Sequence, residues 1–240
     1  MPILAIETST RQLGTAVVGD GELLASYELL ADYPHSVELP DAVTRVLKAA
    51  HTTLAQVQGV VVDIGPGSFT GLRIGLAFVK ALVFPGKQAV IGIPSLDVLA
   101  ANLPFGQQLV CPLLDAKQKN VYAALYRWEA GVPKRQTDYL LAPVDEVLSL
   151  ITEPVVFLGD GCARYRDRIV ERLGTHAQFA ATELWLPRAA TLARLGQARL
   201  SAGGRDDPAS LVPMYLYPKE CSINLSDRPP TAPRKTVAAS

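Results

Sequence analysis

The chain has 240 residues, 49% of them hydrophobic and 19% charged, which describes a polypeptide that folds around a core and excludes a disordered one. Its 23 Lys and Arg match its 23 Asp and Glu, which excludes a nucleic-acid binder driven by bulk positive charge and leaves only a local basic patch open. Cys111, Cys162 and Cys221 are too few and too scattered for a disulfide framework or a paired-cysteine metal site, and their odd number suits a reducing compartment.

The opening MPILAIETST lacks the basic and apolar regions of a signal peptide. No apolar run reaches the roughly 18 residues of a membrane helix, so a cytoplasmic chain with no membrane contact is expected. Strands are predicted at residues 3–7, 14–18 and 22–30, the last two joined across Asp20-Gly21, a strong hairpin signal. A helix follows over about 36–50, capped by Ser36, with Leu39, Val43, Val46, Leu47 and Ala50 on one face. Residues 59–64, GVVVDI, read as a buried strand. A glycine-rich loop then feeds a second helix ending near Phe84. A strand at 88–93 and a helix capped by Ser95 and ending near Asn102 close the first half.

The second half repeats this order. Strands are predicted at 109–115, 120–128 and 135–141, a helix at 144–151, a strand at 155–158 and a helix at 164–173. A strand at 178–186 and a helix at 189–201 complete it. The plan is an α/β chain with βββαβα occurring twice, without residue-level repetition. The lobes divide at residues 1–104 and 105–209. The closing segment 210–221 is free to return to the first lobe. Residues 222–240, rich in Pro and small polar residues, read as a disordered tail.

The segment GPGSFTGLRIG, residues 65–75, is the most informative stretch. A Gly-rich turn entering a helix N-terminus offers free N–H groups to a phosphate or carboxylate; its plainer reading is a tight strand-to-helix turn. It lacks the Gly-Lys-Ser/Thr of a Walker loop, and the third glycine of a dinucleotide fingerprint. Gly71 and Gly75 lie four apart on one helix face beside Leu72, Leu76 and Val79, so either the chain's own sheet or another molecule's helix can approach closely. His35, His51 and His176 form no HExxH pair. Glu7 and Asp115 each end a first strand and, facing across a cleft, could hold a hydrated Mg²⁺; single acids at strand ends more often serve turns and caps. Tyr122, Tyr126, Tyr215 and Tyr217 read as strand packing.

These residues resemble the TsaB (YeaZ) family. Its first strand is similar to Ile3-Leu4-Ala5-Ile6-Glu7-Thr8-Ser9-Thr10. Its most specific motif is similar to Gly65, Pro66, Gly67, Ser68, Phe69, Thr70, Gly71, Leu72, Arg73, Ile74 and Gly75, followed by Lys80. Leu114-Asp115-Ala116-Lys117, Val121-Tyr122 and Val212-Pro213-Met214-Tyr215-Leu216 resemble later segments, so the likeness spans residues 3 to about 221.

The resemblance implies a two-lobed actin-like ATPase (ASKHA, ribonuclease H-like) fold. It implies an accessory scaffold subunit that binds and activates the TsaD-type enzyme, which threonylcarbamoylates a tRNA adenosine next to the anticodon. A TsaE-type ATPase joins that complex, and a homodimer forms when the chain is alone. Partner binding maps onto the two helices carrying Leu39, Val43, Val46, Leu47, Gly71, Leu72, Gly75, Leu76 and Val79. Gly75→Arg or Leu76→Glu is then expected to abolish pairing in a folded monomer. No catalytic residue, metal or cofactor is expected in this chain. ATP or ADP and metal belong to the partner complex, and tRNA contact comes mainly through the partner.

Glu7 stands where the family often has Asp, and Lys117 where Arg is common. The turns Thr8-Ser9-Thr10 and Ala116-Lys117-Gln118 carry no phosphate-binding glycine, so Glu7 and Asp115 are at most a vestigial nucleotide or metal site. The alternative is a stand-alone metallopeptidase or an ATP-dependent phosphotransferase of the same fold.

Overall fold

The computed structural model describes residues 2–30, 35–84, 88–104 and 106–216. The first lobe runs β1 (Ile3–Glu7), β2 (Gln12–Gly19), β3 (Glu22–Leu30), α1 (His35–Ala49), β4 (Gly59–Gly65), α2 (Phe69–Leu82), β5 (Ala89–Pro94) and α3 (Ser95–Asn102). Its five strands lie in the order β3-β2-β1-β4-β5, with β1, β4 and β5 parallel. The second lobe runs β6 (Leu109–Asp115), β7 (Asn120–Ala123), β8 (Tyr126–Glu129), β9 (Val132–Arg135), β10 (Leu140–Pro143), α4 (Val144–Ser149), β11 (Val155–Leu158), α5 (Gly161–Leu173) and β12 (Ala177–Phe179). Its main path is β10-β7-β6-β11-β12, with the β8–β9 hairpin attached through β6. With the β8–β9 hairpin set aside, both sheets read third-second-first-fourth-fifth in chain order. The duplication is therefore one of topology.

The strands β1 and β2 are buried at every residue, which explains their unbroken apolar runs. Such strands need cover on both faces. Helices α1 and α2 cover one face of the first sheet, packing Leu39, Val43, Val46, Leu76 and Val79 onto Leu4, Ile6, Val60 and Val62. The other face is covered by α6 (Ala189–Ser201), whose Ala189, Leu192 and Ala193 meet Ile3, Ala5, Val61 and Ile91. Gly196 of α6 lies directly on the Val61 side chain. The sequence order assigned this helix to the second lobe; it packs on the first because that sheet's second face is otherwise open.

Other boundaries also differ from expectation. Residues 120–128 are two strands, because the chain leaves the ladder at Ala124-Leu125, where Leu125 O accepts from Gln136 N at 2.7 Å. Residues 135–141 likewise split between β9 and β10. Of 178–186 only Ala177–Phe179 pairs; a 3-10 turn at Thr182–Leu184 then redirects the chain toward α6. Ser36 lies inside α1 and is no cap. Pro94, not Ser95, is the N-cap of α3. The Asp20-Gly21 hairpin forms as expected, with φ of 51° and 86°.

Helix α3 joins the lobes. Its Leu96, Leu99 and Ala100 pack with Val110, Leu114, Tyr126 and Leu158 of the second lobe. Its Asp97 accepts hydrogen bonds from Tyr126 Oη at 2.6 Å and Tyr139 Oη at 2.9 Å. Beyond α6, Arg199 grips Asp206 with two 2.6 Å bonds, and Asp206 accepts from Gly92 N of β5. The closing segment then returns to the first lobe, where Met214 N donates to Ile64 O at 2.7 Å. Residues 217–221 of that segment, the expected tail at 222–240, Tyr217 and Cys221 lie outside the described residues.

Candidate functional site

The glycine motif builds the junction between β4 and α2. Ser68 caps α2, accepting from Gly71 N at 3.2 Å, while its own N–H donates to Ser9 O at 2.7 Å. A β-carbon at Gly67 would strike Ser9 O, one at Gly71 would strike Thr8 O, and one at Gly75 would strike Thr8 Oγ1. The glycines let α2 lie directly on the exit of β1. They face inward, onto the chain's own Thr8 and Ser9. Gly65 and Pro66, joined by a cis peptide bond, are buried beneath the loop.

Phe69, Thr70 and Arg73 point outward. The Arg73 guanidinium sits 4.0 Å from the Phe69 ring centroid and its Nε donates to Tyr215 Oη at 3.1 Å. Phe69 and Tyr215 lie 5.4 Å apart, so Tyr215 packs on Phe69 at the surface, outside any strand. Among the other tyrosines, Tyr126 is buried and Tyr122 lines the cleft described below.

Glu7 ends β1, Asp63 lies two residues before the end of the neighbouring β4, and both are 0% exposed. Glu7 Oε1 accepts from Ser9 N and Oγ at 2.7 and 2.6 Å. Asp63 Oδ1 accepts from Gly65 N at 2.7 Å and from Ser95 Oγ at 2.6 Å. Burial, then the neighbouring Asp63, pushes the Glu7 carboxyl well above its ordinary value; burial likewise raises Asp63 against its hydrogen bonds. Sequence reasoning missed Asp63 and Ser95. The only local signal was an acid inside an otherwise apolar strand run.

A cleft of about 650 Å³ separates the lobes, lined by Ser9, Thr10, Arg11, the α2 N-terminus, Leu114, Asp115, Lys117, Tyr122 and Asp160. Glu7 is absent from it. Glu7 is fully buried while Asp115 lines the cleft, so the two acids do not face each other across it. Asp115 binds Lys117 Nζ at 3.0 Å and Arg164 at 3.2 Å. Its partial burial opposes ionisation, but hydrogen bonds from Lys117 and Arg164 outweigh this and hold its carboxyl below the usual value. Asp160 accepts from Asp115 N at 3.0 Å, and burial raises its carboxyl. His35 Nε2 lies 2.8 Å from Thr10 O, so it donates there and pins the start of α1 to the cleft wall. Arg11, His35 and Asp160 were not anticipated as cleft residues. Among the described residues no group of three His, Cys, Asp or Glu side chains gathers to hold a metal ion.

The residues expected to bind a partner are placed otherwise. Leu39, Val43, Val46, Leu72, Leu76 and Val79 are buried within the chain itself, and Leu47 is half-buried against the same core. Their spacing is that of an inner face. The outer face of α2 presents Arg73, Ala77 and Ala81 to solvent, with Ile74 and Phe78 half-buried at its edge. Phe84 follows it, 83% exposed, and Val37 of α1 is 65% exposed. Among the described residues no helix is long and apolar enough to cross a membrane.

Comparison with known proteins agrees with this architecture. The family model described as "TsaD: tRNA N6-adenosine threonylcarbamoyltransferase" matches residues 29–224. The tRNA threonylcarbamoyladenosine biosynthesis protein TsaB of Bacillus subtilis is 33% identical over 219 residues, covering 90% of this chain and 94% of that protein. The Escherichia coli protein of the same name is 31% identical over 173 residues, covering 70% and 74%. A Pseudomonas aeruginosa structure, described as uncharacterised with similarity to peptidase YEAZ, superposes with a TM-score of 0.79 at 26% identity, covering 90% of this chain and 99% of that one. The fold is the two-lobed one of the YeaZ structure, and with these matches across both lobes the chain belongs to the TsaB family.

Proposed function

We propose that the chain is a noncatalytic subunit in tRNA threonylcarbamoyladenosine biosynthesis, which docks the outer face of α1 and α2 onto a TsaD-type catalytic paralogue. The observation that carries this is the exposure of small and apolar side chains, Ala77 and Ala81 on α2, Phe84 just beyond it and Val37 on α1, in a chain 33% identical to a protein named for that pathway. Small side chains let a second helix pair come close, and the flanking Ile74 and Phe78 supply apolar area. The two candidate acids support a role without turnover. Glu7 is sealed inside the sheet and Asp115 is held by two cations, so neither is free as a base or nucleophile. Nucleotide and metal then act in the partner complex, where a TsaE-type ATPase also binds. The chain pairs with itself through the same face when alone, and tRNA is held mainly by the partner.

The test uses Ala77→Arg and Ala81→Arg, which point away from the core. The reading expects both variants to keep the wild-type melting temperature and to lose co-elution with the paralogue on gel filtration. Retained co-elution would place the interface elsewhere. Gly75→Arg and Leu76→Glu are unsuitable, because both act on the chain's own core. A peptidase reading would require hydrolysis by the isolated chain that falls on substitution at the cleft, such as Asp160→Asn.

A further inference from the structure

We propose that Glu7 and Asp63 share a single proton between β1 and β4, forming an acid–carboxylate clasp that ties the β1 exit, the motif loop and the start of α3 together. The geometry leaves little alternative. β1 and β4 run parallel with Ile6 opposite Val62, so the next residues, Glu7 and Asp63, adjoin. Each carboxyl has one oxygen that accepts two hydrogen bonds, from Ser9 for Glu7 and from Gly65 and Ser95 for Asp63. The other oxygens, Glu7 Oε2 and Asp63 Oδ2, are buried with no donor.

Two adjacent buried carboxylates cannot both remain ionised without a cation. Among the described residues, none of the groups that act on their charge is a cation. β2 contributes Gly14, which lies against the Glu7 side chain, while the β1 turn contributes Ser9 and α3 contributes Ser95. The groups acting on the pair's charge are these hydroxyls, the N–H groups of Ser9 and Gly65, and the two carboxyls themselves. One proton between Oε2 and Oδ2 removes a charge and gives both orphaned oxygens a partner. Asp63 keeps the negative charge, because it lies against the N-terminus of α3 and accepts from the Ser95 hydroxyl there. Glu7 carries the proton and donates it.

The sign of the pH dependence follows. A carboxyl whose folded value is raised stabilises fully below its unfolded value, near 4.5 for Glu, and that stabilisation is lost as pH rises through the folded value. Across this window the folding constant falls up to tenfold per pH unit for one bound proton, about 1.4 kcal/mol per unit.

The experiment is urea unfolding of the full chain from pH 5 to pH 9 for wild type, Glu7→Gln, Asp63→Asn and the double variant. In Glu7→Gln the amide Nε2–H donates to Asp63 Oδ2 without titrating; Asp63→Asn does the same from the other side. Each single variant is expected to gain on wild type by up to tenfold in folding constant per pH unit. The double variant sets two amides against each other and should lose more than the singles sum to. Single-variant profiles parallel to wild type would overturn the clasp. So would Mg²⁺ stabilising wild type but not Glu7→Gln, since a cation would then occupy the gap. Infrared spectroscopy of wild type at pH 7.5 reads the proton directly: a buried carboxylic-acid carbonyl band is expected. Its absence would refute the proposal even if every variant failed to fold.

Discussion

Replacing Gly71 by Ala separates two accounts of the glycine face of α2. In an exposed or loosely covered helix, Ala in place of Gly stabilises by up to about 1 kcal/mol through backbone entropy. In this fold the new methyl group lands on the carbonyl oxygen of Thr8, with Ser68 Oγ 3.3 Å away on the other side. Thr8 is fully buried and its carbonyl is main chain, so no rotamer change relieves the contact. Inserting a methyl into such packing costs about 1–3 kcal/mol, and a backbone collision belongs at the upper end. Set against the propensity gain, the net loss is about 2 kcal/mol. For a chain of this size that is a fall of roughly 4–8 °C in Tm. Calorimetry of wild type, Gly71→Ala and the outward control Ala77→Ser decides it. The control should lie within about 0.5 kcal/mol of wild type. A Gly71→Ala Tm at or above wild type would refute the inward placement of the helix.

Other predictions follow from the same packing logic. Tyr126→Phe removes a 2.6 Å bond to the half-buried Asp97 at the lobe joint, and should cost about 1.5–3 kcal/mol in urea unfolding. Lys117→Ala should raise the Asp115 carboxyl toward its ordinary value, read by NMR titration. Because that carboxyl is depressed in the folded chain, its stabilising contribution is present above its unfolded value near 3.8 and lost as pH falls through the folded value. Arg199→Gln breaks the paired bonds to Asp206, partly exposed to solvent, and should cost no more than about 1 kcal/mol. It should quicken proteolysis after residue 203, where those bonds anchor the closing segment.

What could be read from the chain alone divides along physical lines. The β1–β3 meander and β4 were legible because local chemistry sets them: Asp20-Gly21 forces its turn, and β-branched runs such as Val60-Val61-Val62 favour a doubly covered strand. The motif loop was legible as a strand-to-helix turn. Its glycines announced a close approach but not the approaching group, because a residue without a side chain fits a neighbouring helix and its own strand equally well. Helical periodicity picked out Leu39, Val43, Val46, Leu76 and Val79 as one face, yet periodicity is silent on whether that face meets the chain's own sheet or a partner. The same limit hid which lobe α6 covers, since its modest apolar stripe fits either. The Glu7–Asp63 pair depends on parallel register between strands far apart in sequence, so no local pattern encodes it. The split of residues 120–128 was hidden because Ala124-Leu125 continues an apolar run while leaving the ladder.

The account stands most directly on the threonylcarbamoyladenosine content of tRNA in cells depleted of this chain, measured by mass spectrometry of hydrolysates. The account predicts near-total loss. Wild type and Glu7→Gln should restore the modification, while Ala77→Arg combined with Ala81→Arg should not. Unchanged modification after depletion, or full rescue by the docking-face variant, would contradict it.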